Sequence, residues 1–251
     1  MKFLFTSEIN ADLLNVDKLF EQSLLPWWDE ISVYNNRMKD DFTWQVLPAV
    51  VLHVYKYFGL NCQIAIAMAN IFKTIYFSNG IHILVKDDKE GQKPGKEMQF
   101  AILIGDFIFG RVLKLLVESD VSNLLATLSN MICEINEGMV LQYKLEADSN
   151  QVFKKAKAPL YSAVFNTAAQ LSGLEGEKKE VYKELGYNLG MTLELSNQSE
   201  FQQEAILYMH KTESTLGRFK DYYNTPDSIL TRVIKNLHAS ICGPESIAVV
   251  G

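Results

Sequence analysis

Cysteine and proline are both scarce in this sequence, and each shortage narrows the class of protein. The three cysteines, Cys62, Cys133 and Cys242, have no short pair spacing and are odd in number. Such a set argues against a disulfide framework or a zinc site and favours reduced thiols in a cytoplasmic protein. Only six prolines occur in 251 residues, so long stretches of the chain contain no helix breaker.

The sequence also lacks concentrated positive charge and long uncharged runs. Its 24 basic and 30 acidic residues give a net charge of −6, whereas a nucleic-acid-binding surface needs a basic stripe. No uncharged window is long enough to span a membrane. The N-terminal apolar stretch turns polar at Ser7-Glu8, too early for a signal peptide. We therefore expect a soluble, cytoplasmic protein with no transmembrane segment and no nucleic-acid partner.

Helical periodicity is the dominant pattern, and strict alternation of apolar and polar residues is almost absent. The pattern predicts helices near residues 11–24, 44–58, 62–85, 97–117, 121–145, 151–171, 178–197, 200–215 and 228–239. The segments 62–85 and 121–145 are apolar on more than one face, so we expect them to be central. No flexible linker and no repeat divides the sequence. It therefore predicts one all-α domain over residues 1–251.

Several short stretches occur in an order that resembles a known family. Residues 101–111 read Ala-Ile-Leu-Ile-Gly-Asp-Phe-Ile-Phe-Gly-Arg, and residues 134–142 contain Glu-Gly followed by Gln. Together with Pro48 and Gly59, these stretches resemble landmarks of trans-type isoprenyl diphosphate synthases, which lengthen an allylic diphosphate with isopentenyl diphosphate. The resemblance extends over residues 47–201. It implies an all-α, single-domain isoprenoid-synthase-type bundle of about nine to eleven helices around a central cavity.

The resemblance also implies two Asp-Asp-x-x-Asp motifs, whose carboxylates hold Mg²⁺ and a diphosphate between two facing helices. Aligning Ile81-His82 with the apolar-His pair of the family puts Ile83 and Leu84 at the first two aspartate positions. Only Asp87 then falls on an acid position. In the alternative alignment, the acidic motif begins four residues later at Asp87 and Asp88, which become the candidate metal ligands.

The second motif is also without its acids. Its three acid positions are occupied by Asn197, Gln198 and Phe201. A site with one carboxylate in six acid positions is not expected to hold Mg²⁺ and diphosphate well. We therefore expect this chain alone to have no metal, no cofactor and no catalytic residues.

The cations that bind diphosphate in the family are largely missing too. Where the family carries Gly-Lys-x-x-Arg, this sequence has Thr43-Trp44-Gln45-Val46-Leu47. The family's Lys-Thr pair falls near Ala156-Lys157 when Leu160 is the anchor. Lys155 and Lys157 flank the lysine position, so both are candidates for diphosphate binding.

The resemblance gives one main hypothesis and two alternatives. The main hypothesis is a non-catalytic or regulatory subunit of a heteromeric trans-prenyl diphosphate synthase in isoprenoid (quinone side-chain) biosynthesis. A catalytic partner subunit would hold Mg²⁺ and the substrates, while this chain would complete the dimer and shape the tunnel for the apolar prenyl chain. Four residues are candidates to line that tunnel: Ala65, Ala69, Ile108 and Phe109.

The first alternative is a divergent but active polyprenyl diphosphate synthase, which would need replacement acids on this chain. Those acids would be Asp87, Asp88, Glu194 and Glu200. Either Lys155 or Lys157 would bind the diphosphate. The second alternative is a homodimer that binds an apolar ligand and performs no diphosphate chemistry.

Overall fold

The computed structural model describes residues 9–83, 96–144, 149–220 and 229–242, which form helices and turns and contain no β-strand. The α-helices are α1 (Asn10–Ser23), α2 (Trp28–Met38), α3 (Phe42–Tyr57), α4 (Cys62–Ile83), α5 (Lys96–Glu118), α6 (Leu125–Lys144), α7 (Ser149–Val152), α8 (Ala158–Leu171), α9 (Gly176–Ser196), α10 (Gln202–Lys220) and α11 (Ile229–Cys242). Short 3₁₀ turns cover Ser122–Leu124 and Ser199–Phe201, and a π-helical turn covers Phe153–Lys157. The predicted all-α fold class is confirmed.

Two helical predictions need correction. The sequence pattern missed α2, which buries only Ile31 and Met38 and therefore shows too few apolar positions for a clear period. The predicted helix over residues 151–171 is interrupted by the π-helical turn, because Pro159 lies in the first turn of α8. Proline has no N–H to continue the hydrogen-bond pattern of a preceding α-helix.

The core is built around α3 and α4. From Ala65 onward α4 is buried along most of its length, and it packs against α1, α3 and α5. The prediction that this segment is central is confirmed. On the other side of α3, α8 packs against α9, and α9 packs against α10. Helix α11 contacts α3 and α10.

Helix α6 is not central, contrary to the sequence prediction. It buries one face, which includes Leu128, Met131 and Ile135, against the core. Apolar residues also lie on its outer face, where Leu125 is 48% exposed and Val140 is 57% exposed. A helix with apolar residues on two faces is central only when other elements cover both of those faces. Among the described residues, nothing covers the outer face of α6.

Helices α8 and α9 lie in close contact, and glycine makes this contact feasible. A Cβ atom added at Gly186 would lie 2.6 Å from the carbonyl oxygen of Tyr161 and 3.0 Å from Cα of Ser162. Those two atoms belong to the backbone of α8, so they cannot turn away as a flexible side chain would. The absence of a side chain at Gly186 therefore sets the distance between the two helices.

We expect Gly186→Ala to lower the free energy of unfolding by about 1–3 kcal/mol, because the added methyl group overpacks the contact. Gly217→Ala is the matched control, since a Cβ atom there meets nothing within 4 Å. In the interior of α10 that substitution should raise stability by about 0.5–1 kcal/mol. Urea denaturation of both variants measures the difference. Equal effects of the two substitutions would contradict the packing argument.

Candidate functional site

A cluster of hydrogen-bonded polar side chains lies inside the fold, where α3, α4, α8 and α9 meet. Its centre is Glu194, near the end of α9, which is only 4% exposed. The hydroxyl of Tyr161 donates to Glu194 Oε1 at 2.6 Å, and Thr43 Oγ1 donates to the same oxygen at 2.8 Å. These two bonds satisfy an acceptor that water does not reach.

The cluster continues through Lys157. Its ammonium group donates to Thr43 Oγ1 at 3.2 Å and to the hydroxyl of Tyr76. Tyr76 in turn donates to Asp41 Oδ1 at 2.8 Å. Six residues thus form one connected set, which we call the buried network: Asp41, Thr43, Tyr76, Lys157, Tyr161 and Glu194.

Local structure positions the two ends of the buried network. Asp41 is the N-cap residue of α3, and its Oδ1 atom also accepts a hydrogen bond from the backbone N–H of Trp44 at 2.8 Å. This capping fixes the first turn of α3, which carries Thr43. Glu194 lies in the last turn of α9, so the buried network joins the start of one helix to the end of another.

The sequence indicates Lys155 and Lys157 equally as candidates for diphosphate binding, and the π-helical turn directs their side chains differently. Lys155 is half-exposed, and its ammonium group lies 3.8 Å from the carboxylate of Glu137. Lys157, two residues later, turns inward to the buried network. The turn packs closely on α6, since a Cβ atom added at Gly138 would lie 2.7 Å from the carbonyl carbon of Lys155. Of the two lysines, only Lys157 joins the buried network.

Burial controls the ionisation of the buried network. Loss of solvent raises the pKa of Glu194 above its ordinary value, although Lys157, Tyr161 and Thr43 each act to lower it. Burial and the adjacent Glu194 carboxylate raise the pKa of Tyr161 well above its ordinary value. Tyr161 therefore stays protonated and donates its hydrogen bond.

The charge of Lys157 is balanced within the chain. A lysine ammonium group has three donors, and two of them are directed at Thr43 and Tyr76. The carboxylates of Glu194 and Asp41 are each linked to Lys157 through one hydroxyl group. An incoming diphosphate would meet one remaining ammonium donor and would have to approach two acidic groups.

The predicted acid positions are only partly described. Ile83 ends α4, while Leu84, Asp87 and Asp88 lie outside the described residues. At the second motif, Asn197 is the exposed C-cap of α9, Gln198 follows it, and Phe201 packs edge-on against Phe153 at a centroid distance of 6.1 Å. Glu200 is exposed.

Across the described ranges, no group of three or more His, Cys, Asp or Glu side chains is arranged to hold a metal ion. The degeneracy of the two acidic motifs stays a prediction, since the first motif falls mostly outside those ranges.

The candidate tunnel residues fall in two places. Ala65 and Ala69 of α4 and Ile108 of α5 are fully buried in the core. Phe109 lies instead on the outer side of α5 and is 39% exposed. The tunnel role of all four residues stays a prediction.

Helix α5 carries apolar residues on two sides. Its inner side, which includes Ile104, is buried in the core. Six large apolar residues of α5 are exposed, including Phe100 and Ile102. Four of the six, exposed at 65%, 39%, 45% and 70%, are called the α5 face: Leu103, Phe109, Leu113 and Val117. Exposed apolar patches of this kind mark contact sites for proteins or membranes. None of the described helices is long and apolar enough to cross a membrane.

Sequence reasoning did not identify several members of the buried network. Asp41, Tyr76 and Tyr161 are not among the residues that the sequence indicates, and Thr43 stands out in the sequence only because the family's cations are missing there. One local signal was available: a tyrosine inside an otherwise apolar helix needs a partner for its hydroxyl group. Tyr76 and Tyr161 both fit that description. The identity of the partner was not available from local sequence.

The order and packing of the helices define an all-α fold of the isoprenoid-synthase type, and solved structures share it. The chain is similar to a polyprenyl synthase from Caulobacter crescentus, solved with calcium and isoprenyl diphosphate, at 16% identity and a TM-score of 0.73, covering 93% of this chain and 95% of that one. It is similar to a geranylgeranyl pyrophosphate synthase from Corynebacterium glutamicum, at 14% identity and a TM-score of 0.72, covering 96% and 95%.

A third similar structure is the small subunit of geranyl diphosphate synthase from Antirrhinum majus. The identity is 16%, the TM-score is 0.69, and the match covers 92% of this chain and 99% of that one. No protein-family model matches the chain, and no curated protein matches it in sequence. The chain therefore has the fold of trans-prenyl diphosphate synthases.

We expect Glu194→Gln to stabilise the protein at neutral pH by an amount that grows as the pH rises. Because the pKa of Glu194 is raised in the folded state, folding favours its protonated form. The contribution of Glu194 to the free energy of unfolding is fully present below the pKa of the unfolded state, about 4.3. It is lost as the pH rises through the pKa of the folded state. The amide of glutamine keeps a carbonyl acceptor for Thr43 and Tyr161 and carries no charge.

Thermal unfolding of the variant and the wild type between acidic and neutral pH measures this difference. Glu137→Gln is the control, because Glu137 is exposed and, among the described residues, its ion pair is the long one with Lys155. The difference in Tm between Glu194→Gln and wild type should widen with pH, while the control stays flat. If this difference in Tm narrows as the pH rises, the folded structure stabilises the ionised form of Glu194, which would contradict the expectation.

Proposed function

We propose that this chain is a non-catalytic or regulatory subunit of a heteromeric trans-prenyl diphosphate synthase, acting as one domain over residues 1–251. One observation carries the proposal. Lys157, which faces inward beside the family's lysine position, is hydrogen-bonded within the buried network and balanced by acidic groups of the same chain. A synthase needs that cation for the diphosphate of its substrate.

The proposal assigns the chemistry to a partner. A catalytic subunit would supply the two acidic motifs, the Mg²⁺ ions and the substrates, and this chain would complete the dimer and shape the product tunnel. The similarity to the small subunit from Antirrhinum majus supports this division of roles. The substitution of Asn197, Gln198 and Phe201 for three acids is consistent with it.

The α5 face is the surface that we assign to the partner. Leu103 and Val117 are exposed at 65% and 70%, and covering such side chains contributes about 25 cal/mol per Å² of apolar area. Phe109 belongs to the same face. It would therefore reach a product tunnel only where the two subunits meet, whereas Ala65, Ala69 and Ile108 would act from inside this chain.

An isopentenyl transfer assay with farnesyl diphosphate and Mg²⁺ tests the proposal. The purified chain is assayed alone, a motif-complete synthase subunit of the same organism is assayed alone, and the two are assayed together. We expect no turnover by this chain and a mixture that exceeds the catalytic subunit in rate or product length. Turnover by this chain alone, abolished by Asp87→Ala, would overturn the proposal and support the divergent enzyme.

We expect Leu103→Asp to weaken association with the catalytic subunit by about thirtyfold or more, as for the centre of an interface. Leu14→Asp is a matched control, because Leu14 on α1 is 61% exposed, close to the 65% of Leu103. Analytical ultracentrifugation of each variant with the partner measures the affinity. The Tm of the isolated variants should stay unchanged. Equal affinities for both variants would exclude the α5 face as the interface.

A further inference from the structure

A cleft that is separate from the buried network opens between α6 and α9. Its volume is about 480 Å³, which lies in the range of about 300–1,000 Å³ found for small-molecule sites. Helix α8 forms the floor, where the small residues Ser162 and Ala163 leave room. Asn130 and Glu134 line the α6 wall. The lining includes no member of the buried network.

The α9 wall of the cleft carries two positively charged side chains. Lys179 and Lys183 both line it, one helical turn apart. Like charges at this spacing repel each other, and Lys179 lies within four residues of the start of α9, where the helix dipole disfavours a cation. Lys183 has a carboxylate at 3.9 Å, from Glu180. Among the described residues, Lys179 has no carboxylate within 4 Å.

The opposite wall does not neutralise this charge. Glu134 is the only acidic residue that lines the cleft, and in the described part of the chain no ion pair joins it to either lysine. The lining residues carry two ammonium groups and one carboxylate, and Glu180, outside the lining, pairs with Lys183, so among the described residues Lys179 is the cation without a carboxylate partner. An anion between the walls would offset the repulsion between Lys179 and Lys183.

We propose that this cleft binds a small organic molecule that carries a phosphate group. A phosphate monoester has a charge of about −1.5 to −2 at pH 7, which matches two ammonium groups better than the single charge of a carboxylate does. The organic part would lie over the buried side chains of Met131 and Ala163. The amide of Asn130 would donate to the phosphate, and Glu134 would accept from a hydroxyl or amino group of the ligand.

The thiol of Cys133 provides a local probe, because it lines the cleft and is exposed. Cys62 is also exposed but lies on α4 beside Asp12, outside the cleft, so it serves as an internal reference. We would measure the rate of N-ethylmaleimide modification at each cysteine by peptide mass spectrometry. The added compounds are phenyl phosphate, benzoate and sodium chloride at equal ionic strength.

We expect phenyl phosphate to slow modification of Cys133 and to leave Cys62 unaffected. For a dissociation constant of about 1 mM, about 10 mM phenyl phosphate would slow the reaction about tenfold. The double variant Lys179→Met, Lys183→Met should lose this protection. Lys178→Met is the matched control, since Lys178 lies on the same helix without lining the cleft, and it should retain the protection.

Three outcomes would overturn the proposal. Failure of phenyl phosphate to protect Cys133 would exclude binding in the cleft. Equal protection by benzoate would show that the site selects an aromatic or carboxylate ligand and not a phosphate. Protection that survives loss of both Lys179 and Lys183 would place the bound anion elsewhere. None of these outcomes depends on whether the chain is a subunit of a prenyl diphosphate synthase.

Discussion

The arrangement of helices around the candidate site depends on one constraint, which is that a buried carboxylate must have hydrogen-bond partners. Glu194 has them only because Thr43 at the start of α3 and Tyr161 on α8 both reach the same oxygen atom. Lys157 adds the π-helical turn to this set, and Tyr76 adds α4. Removing one of these hydroxyl donors would leave the buried carboxylate oxygen with a partner fewer, at a cost of about 1–3 kcal/mol. The register of these helices is therefore fixed by polar contacts as well as by packing.

Glycine residues make those polar contacts geometrically feasible. On α9, Gly190 faces the ring of Tyr161, and an added Cβ atom would lie 2.6 Å from its Cδ2 atom. On α6, Gly138 lets the helix approach the backbone of the π-helical turn that directs Lys157 inward. In both places a side chain would push apart the two elements that the buried network joins. Helix spacing and the polar cluster thus support each other.

Among the described residues, charged groups inside the fold have partners, while some apolar and charged groups at the surface do not. An active site holds charged groups ready for a ligand, at some cost in stability. Here the inner charges of Lys157 and Glu194 are satisfied within the chain, while apolar Leu103 and the positive charge of Lys179 remain at the surface. The proposed subunit role rests on this contrast between paired charges inside the fold and unpaired groups at its surface.

The all-α class follows from the sequence alone, because helical periodicity is a local property, and the landmarks in residues 101–111 indicate the fold. It could not separate Lys155 from Lys157, since the two lie two residues apart and a single π-helical turn decides which one faces inward. Nor could it pair Thr43 with Glu194, which are separated by 151 positions. Only the tertiary structure brings such residues together, because a long-range hydrogen bond depends on how whole helices pack and leaves no period in the sequence.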